Sequence, residues 1–147
     1  MYKHILVPTD GSRLSATAVK AAVEFAREAN ARVTAFTAVP EYPMPSEIEL
    51  MNKRGISFHD YQRNARASAK KTLRAVALRA RKAGVRYGED YALCDRPYDA
   101  IIEVARKHGC DLIFMASHGR RGIAALLHGS QTREVLSRSK IPTLVYR

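Results

Sequence analysis

The chain has 147 residues and a mass of 16.4 kDa, which leaves room for one domain, residues 1–147, and not for two full ones. Hydrophobic residues at 46% and charged residues at 27% argue against intrinsic disorder, and apolar runs such as 112–116 fall far short of the ~20 residues of a membrane span. A net charge of +11 is the one oddity; eleven basic residues and a single acid lie between positions 53 and 86, so the excess belongs to one element.

Short β-rich runs alternate with longer helical ones, the mark of a parallel α/β fold. Residues 4–8 read as a buried central strand. Thr9-Asp10-Gly11-Ser12 is a turn with helix-capping residues, Asp10 among the candidate caps. Apolar residues at helical spacing predict a helix over 13–30, and 32–39 is the next strand. Residues 40–55, with three prolines, read as a long irregular excursion of the kind that is often functional. The longest helix is predicted over 58–83. Ala65, Ala69, Leu73, Val76 and Ala80 form its core stripe, while Arg63, Arg66, Lys70, Arg74 and Arg81 lie on a separate face. That basic face reads as a solvated surface, so nucleic acid is not expected as a partner, and its thin aromatic interleaving argues further against single-strand binding. A strand near an edge is predicted over 86–93, and a helix over 97–107 with Pro97 in its first turn. A buried strand over 111–116, a Gly-rich segment over 117–130, a short helix over 131–138 and a last strand over 141–146 complete the pattern. Five strands and four helices make one doubly wound sheet.

Cys94 and Cys110 have no C-x-x-C spacing and read as buried structural thiols. Met1-Tyr2-Lys3-His4 runs directly into an apolar strand without the pattern of a secretory signal, which predicts a cytoplasmic protein with no membrane attachment.

Ligands of open parallel sheets sit beyond the carboxyl ends of the strands, where strand order reverses. Three segments end there: Pro8-Thr9-Asp10-Gly11-Ser12, Val39, and the stretch from Ser117 to Thr132. In the third, glycines allow close backbone approach to an anion, and Gly129-Ser130 opens a helix whose first N–H groups and positive dipole end favour phosphate. Ser130 reads as its cap. Arg133 stands where a capping-box acid would compete for those donors. Ser130, Gln131 and Thr132 add side-chain hydrogen-bonding groups, and Arg120 and Arg121 add positive charge. No G-x-x-x-x-G-K-[ST], no G-x-G-x-x-G after the first strand and no Ser-Gly-Gly-x-Asp-Ser pyrophosphate loop occurs, which excludes three common nucleotide sites.

The chain resembles the universal stress protein family over nearly its whole length. Its ATP-binding members carry Gly-x2-Gly-x9-Gly-[Ser/Thr] after the fourth strand. Here Ala116-Ser117-His118-Gly119 is followed, after nine residues, by Gly129-Ser130, so that Ala116 replaces the first glycine. The opening Ile5-Leu6-Val7-Pro8-Thr9-Asp10-Gly11-Ser12 and the ending Ile141-Pro142-Thr143-Leu144-Val145 are also similar to the family's. The resemblance implies a Rossmann-like sheet of the adenine nucleotide alpha hydrolase type, with strand order 3-2-1-4-5.

It further implies binding of ATP, or of ADP or AMP, with Mg²⁺ or Mn²⁺ near Asp10. Pro8 and Thr9 would line the pocket and Val39 would meet adenine, partly through its backbone. Ala116, Ser117, Gly119, Arg120, Gly122, Gly129, Ser130, Gln131 and Thr132 would hold ribose and phosphates. Hydrolysis would be slow and incidental to a regulatory, stress-response role, and the apolar last strand would pair two copies as a homodimer. The alternative is a nucleotide-free module whose basic helix binds nucleic acid or an acidic partner. His118, beside the phosphate segment, has no carboxylate or nucleophile arranged with it; His59, His108 and His128 lack metal-ligand spacing, and Tyr87, Tyr91, Tyr98 and Tyr146 read as packing or interface residues.

Overall fold

Strands and helices alternate through residues 1–42, 57–117 and 130–147, which the computed structural model describes. They are β1 (His4–Pro8), α1 (Arg13–Glu28), β2 (Arg32–Val39), α2 (Phe58–Lys82), β3 (Tyr87–Leu93), α3 (Pro97–Lys107), β4 (Leu112–Ala116), α4 (Ser130–Arg138) and β5 (Thr143–Tyr146). The strands form one sheet, β3-β2-β1-β4-β5, parallel at every pairing, as the sequence predicts. Most of the 40–55 excursion and of the Gly-rich segment lies outside the described residues.

Alternation along the strands builds two cores. Ile5, Val7, Val33 and Ala35 face the layer of α1 and α2, where Val19, Ala22, Leu73 and Val76 close over them. Leu6, Phe36, Ile113 and Met115 face α3 and α4, against Ile101, Val104 and Val135. Both faces of the central strands are covered, which explains their near-continuous apolar sequence. No helix among the described residues is long and apolar enough to cross a membrane.

Three helices end by the same device. After α1, Asn30 adopts a positive φ of 50°, its N–H reaches Arg27 O, and Ala31 N–H reaches Ala26 O. Gly84 and Gly109 repeat this pattern after α2 and α3, each followed by a buried residue, Val85 and Cys110. These bonds satisfy last-turn carbonyls and swing the chain back into the sheet. The helix predicted to reach residue 30 therefore stops at Glu28. At the other end, β5 starts at Thr143 and not at 141, because Pro142 precedes the ladder and contributes only its carbonyl, to Ile113 N–H. Cys110 is buried as expected, and its thiol is pushed up to about 12 by burial and the nearby Asp111 carboxylate. Cys94 departs from the expectation and is only half-buried.

Candidate functional site

The strand order reverses between β1 and β4, and there the ladder is short. These strands pair at Ile5–Leu112 and Leu6–Ile113, whereas β1 and β2 pair over five residues. Proline chemistry accounts for the difference. Thr9 N–H bonds Phe36 O on β2, so odd-numbered residues of β1 direct their amides to β2 and even-numbered ones to β4. The next donor toward β4 after Leu6 would be residue 8, and Pro8 has none. The β1–β4 ladder therefore ends short of the carboxyl ends of its strands, the end at which such a sheet takes its ligand.

The β1 loop is held by hydroxyls. Thr9, 8% exposed, has its Oγ1 2.6 Å from Ser15 Oγ and accepts from Gly11 N–H at 3.2 Å. Ser15 Oγ also accepts from Asp10 N–H at 3.3 Å. Asp10 Oδ1 accepts Ser12 N–H at 2.9 Å, which ties the carboxylate into the turn. The cap of α1 is Ser12, whose Oγ accepts Ser15 N–H, and not Asp10. Ser15 went unnoticed in the sequence; the available signal was a small hydroxyl residue placed one turn before the apolar Ala18–Val19 face.

The other wall comes from β4 and α4. Thr132, 3% exposed, donates its hydroxyl to Ala116 O at 3.0 Å, with Ser117 O at 3.4 Å. This bond seats the first turn of α4 over the carboxyl end of β4. The helix begins at Ser130 itself, one residue earlier than predicted, and Ser130 is exposed. Gln131 turns elsewhere: its Oε1 accepts Tyr98 N–H at 2.9 Å, capping α3, whose N-cap Arg96 makes no side-chain cap bond. Val39 ends β2 with its carbonyl accepting Cys94 N–H at 2.8 Å, so that oxygen is turned toward β3.

The structure thus places Pro8, Thr9, Asp10, Ala116, Ser117, Ser130 and Thr132 at the carboxyl ends of β1 and β4 and the start of α4, and engages Gln131 with α3. Gly119, Arg120, Gly122, Gly129, His118, Arg121 and His128 lie outside the described residues. A helix start and a carboxylate beside the point where strand order reverses can hold a phosphorylated ligand and an oxygen-loving cation.

Other polar features lie apart from these residues. A solvent-open groove of about 560 Å³ on the outer side of α3 and α4 is lined by Arg96, Asp99, Ile102, Glu103, Arg106 and Arg138, none of them a predicted site residue. At the opposite, amino-terminal edge of the sheet, His4 Nε2 lies 2.7 Å from Oγ1 of the fully buried Thr34, and Asp111 accepts the amides of Lys3 and His4. Burial, then Arg32, lowers the His4 imidazole below its ordinary value. His108 meets Asp90 at 2.9 Å beside Lys107; burial raises the Asp90 carboxyl, but these two partners outweigh it and hold the group below the usual range. His108 is therefore a partner of Asp90 at that edge. Tyr87, Tyr91, Tyr98 and Tyr146 pack against the cores.

Comparison with known proteins completes the picture. The sequence profile of the universal stress protein family matches residues 1–147. The universal stress protein MJ0531 of Methanocaldococcus jannaschii is 31% identical over 156 residues, covering 100% of this chain and 83% of that protein. Among solved structures, that of MJ0577 superposes with a TM-score of 0.81 at 26% identity, covering 99% of this chain and 95% of the other. A universal stress protein in complex with cAMP superposes with a TM-score of 0.71 at 28% identity, covering 99% and 97%.

Proposed function

The chain belongs to the universal stress protein family, and from that premise we propose that it binds an adenine nucleotide, ATP foremost with ADP or AMP as alternatives, as a stress-response regulator. The observation that carries this reading is the reversal of strand order between β1 and β4, with the start of α4 seated at the carboxyl end of β4 by the Thr132 hydroxyl. The neighbour in complex with cAMP supports an adenine nucleotide as the ligand class.

In this reading the phosphates lie at the N-terminus of α4, on backbone donors of its first turn and the Ser130 hydroxyl. Thr132 acts by position, since its hydroxyl is engaged by β4, and Gln131 holds α4 to α3. Gly119 and Gly129 would join the site through the family's glycine motif, with Arg120 and Gly122 in the spacer between them. Asp10 would hold Mg²⁺ or Mn²⁺ beside the phosphates, because a carboxylate is the hard donor such ions take. Pro8, Thr9 and Val39 would line the base and ribose end. Phosphoryl transfer needs a positioned base and charge neutralisation aimed at the transition state. Asp10 with a metal supplies only part of that, so the role is binding, with hydrolysis slow and incidental. The same reading has the protein act in the cytoplasm as one domain, paired into a homodimer through β5.

Ser130→Asp separates the site from the fold. A carboxylate in the first turn of a helix complements its dipole, so thermal stability should hold or rise, while the same charge repels phosphate. Calorimetry should show ATP affinity falling at least about tenfold, which corresponds to ~1.4 kcal/mol. Unchanged affinity in the folded variant would remove the phosphates from α4. Failure of the parent protein to bind ATP, ADP or AMP would refute the reading itself.

A further inference from the structure

Among the described residues, the exposed face of α2 is a charged feature that nucleotide binding leaves unused. Arg66, Lys70, Lys71, Arg74, Arg79, Arg81 and Lys82 are all exposed, and among the described residues none has a carboxylate within ion-pair distance; Arg63 alone pairs, with Asp60 at 2.8 Å. Arg79, Arg81 and Lys82 have a local reason to be basic, since they complement the C-terminal end of the helix dipole. Arg66, Lys70, Lys71 and Arg74 do not. They lie mid-helix, and Arg66–Lys70, Lys70–Arg74 and Lys71–Arg74 are like-charge neighbours at three- and four-residue spacing that destabilise the helix they sit on. Among the described residues no carboxylate compensates that repulsion.

We propose that this face docks sequence-independently on the phosphate backbone of a double-stranded nucleic acid. From Arg63 to Arg81 the basic file runs about 27 Å along one side of the helix. A duplex carries a charge roughly every 1.7 Å of its axis, so a cationic file of this length spans most of a helical turn and reaches the strands that cross its face. The thin aromatic content that speaks against base stacking on single strands is no obstacle here, because backbone contact needs no ring. A membrane surface is the poorer fit. A helix lying in a bilayer interface inserts its apolar face, and that face of α2 is already closed in the core, with Leu73 and Val76 at 1% and 2% exposure.

The test is fluorescence anisotropy with a duplex of about 20 base pairs, in two unrelated sequences, titrated across a salt series and without nucleotide present. The outcome is thereby independent of the ATP reading. Both sequences should bind alike, and Arg66→Gln, Lys70→Gln and Arg74→Gln together should cut affinity at least tenfold at roughly 50 mM salt and flatten the log–log salt slope by about two to three. A control with Lys20→Gln, Arg27→Gln and Lys140→Gln loses equal charge from exposed positions elsewhere and should retain most of the affinity. The proposal is overturned if the control loses as much as the α2 variant, since binding then follows net charge alone. It is equally overturned if the duplex does not bind, or if phosphatidylserine vesicles or polyglutamate bind as tightly as the duplex.

Discussion

Thr132→Val removes one hydroxyl and leaves the volume of the side chain almost unchanged, so it isolates a single bond. That hydroxyl donates to Ala116 O at 3.0 Å in a site where Thr132 is 3% exposed, and Ser117 O at 3.4 Å is at best a weak second acceptor. One buried hydrogen bond contributes about 0.5–1.5 kcal/mol, and leaving its acceptor without that donor adds to the loss, for a total of about 1–2 kcal/mol. For a chain of this length each kcal/mol moves Tm by roughly 2–4 °C, so the midpoint should fall by about 2–8 °C. Urea unfolding should show the same loss with an unchanged slope, because no extra surface is exposed. The bond also seats the first turn of α4 on the end of β4, so ATP affinity should drop in the valine variant and be kept by Thr132→Ser, which retains the hydroxyl. A valine variant within about 0.3 kcal/mol of the parent would show that the hydroxyl does not anchor α4.

Arg63→Gln, Arg66→Gln, Lys70→Gln and Arg74→Gln in one chain should leave ATP affinity within a few-fold by calorimetry, because these side chains lie on the solvent side of α2; a loss of an order of magnitude would mean that the pocket extends to this helix. Stability should decline on acidification. The His4 ring, flanked by Thr34, Arg32, Asp111 and the His108 backbone, has its folded value below the unfolded 6.5. The unfolded chain takes up that proton first, and the stability present above 6.5 is lost progressively as pH falls below it. Asp90, held below 3.8, keeps its full contribution above 3.8 and loses it as pH falls from there through its lower folded value. Urea midpoints should therefore drop from neutral toward mildly acidic pH, less steeply in His4→Gln, and a midpoint that rises would contradict the sign. Cys110 should resist iodoacetamide in the native protein and react once unfolded, since the nucleophile is the thiolate and its thiol is pushed up to about 12; labelling of the native protein at neutral pH would show the core to be open.

Sheet order, element sequence and the edge carrying the candidate site were legible because alternating buried strands and amphipathic helices admit few topologies, and strand reversal locates the crevice. Details that depend on register were not. Pro8 looked like pocket lining, and its effect on pairing follows only once Thr9 N–H is seen to bond β2. Gln131 read as a ligand because a polar side chain at a helix start suits phosphate; its bond to Tyr98 N–H joins residues 33 positions apart, a contact no local pattern encodes. Asp10 and Ser12 are both good caps by type, and backbone geometry decided for Ser12. Asn30 stops α1 two residues early because asparagine tolerates the left-handed conformation that the chain reversal requires.

Pairing through β5 can be tested at the level of single amides. Ile113 N–H bonds Pro142 O and Ser117 N–H bonds Tyr146 O, so the parallel ladder uses the amides of Leu144 and Tyr146, while those of Thr143 and Val145 face the open edge. An edge of Thr143, Leu144, Val145 and Tyr146 has its gatekeepers, Lys140, Pro142 and Arg147, only at the ends. Four outward backbone groups would not by themselves hold a dimer, since stable interfaces bury about 800 Å² per partner. Leu136, 45% exposed on α4, which packs beside β5, offers apolar surface to the same contact. Two copies related by a two-fold axis can lay these strands antiparallel, which satisfies both edges and closes without forming fibres. Light scattering should then report about twice 16.4 kDa at micromolar protein. Val145→Pro removes an N–H that the monomer does not use and puts a ring where the partner strand would lie, at an edge position that tolerates proline. The variant should stay folded by circular dichroism and become monomeric. A Val145→Pro protein that remains dimeric would place the contact on another surface, and a parent protein that stays monomeric at high concentration would refute edge pairing altogether.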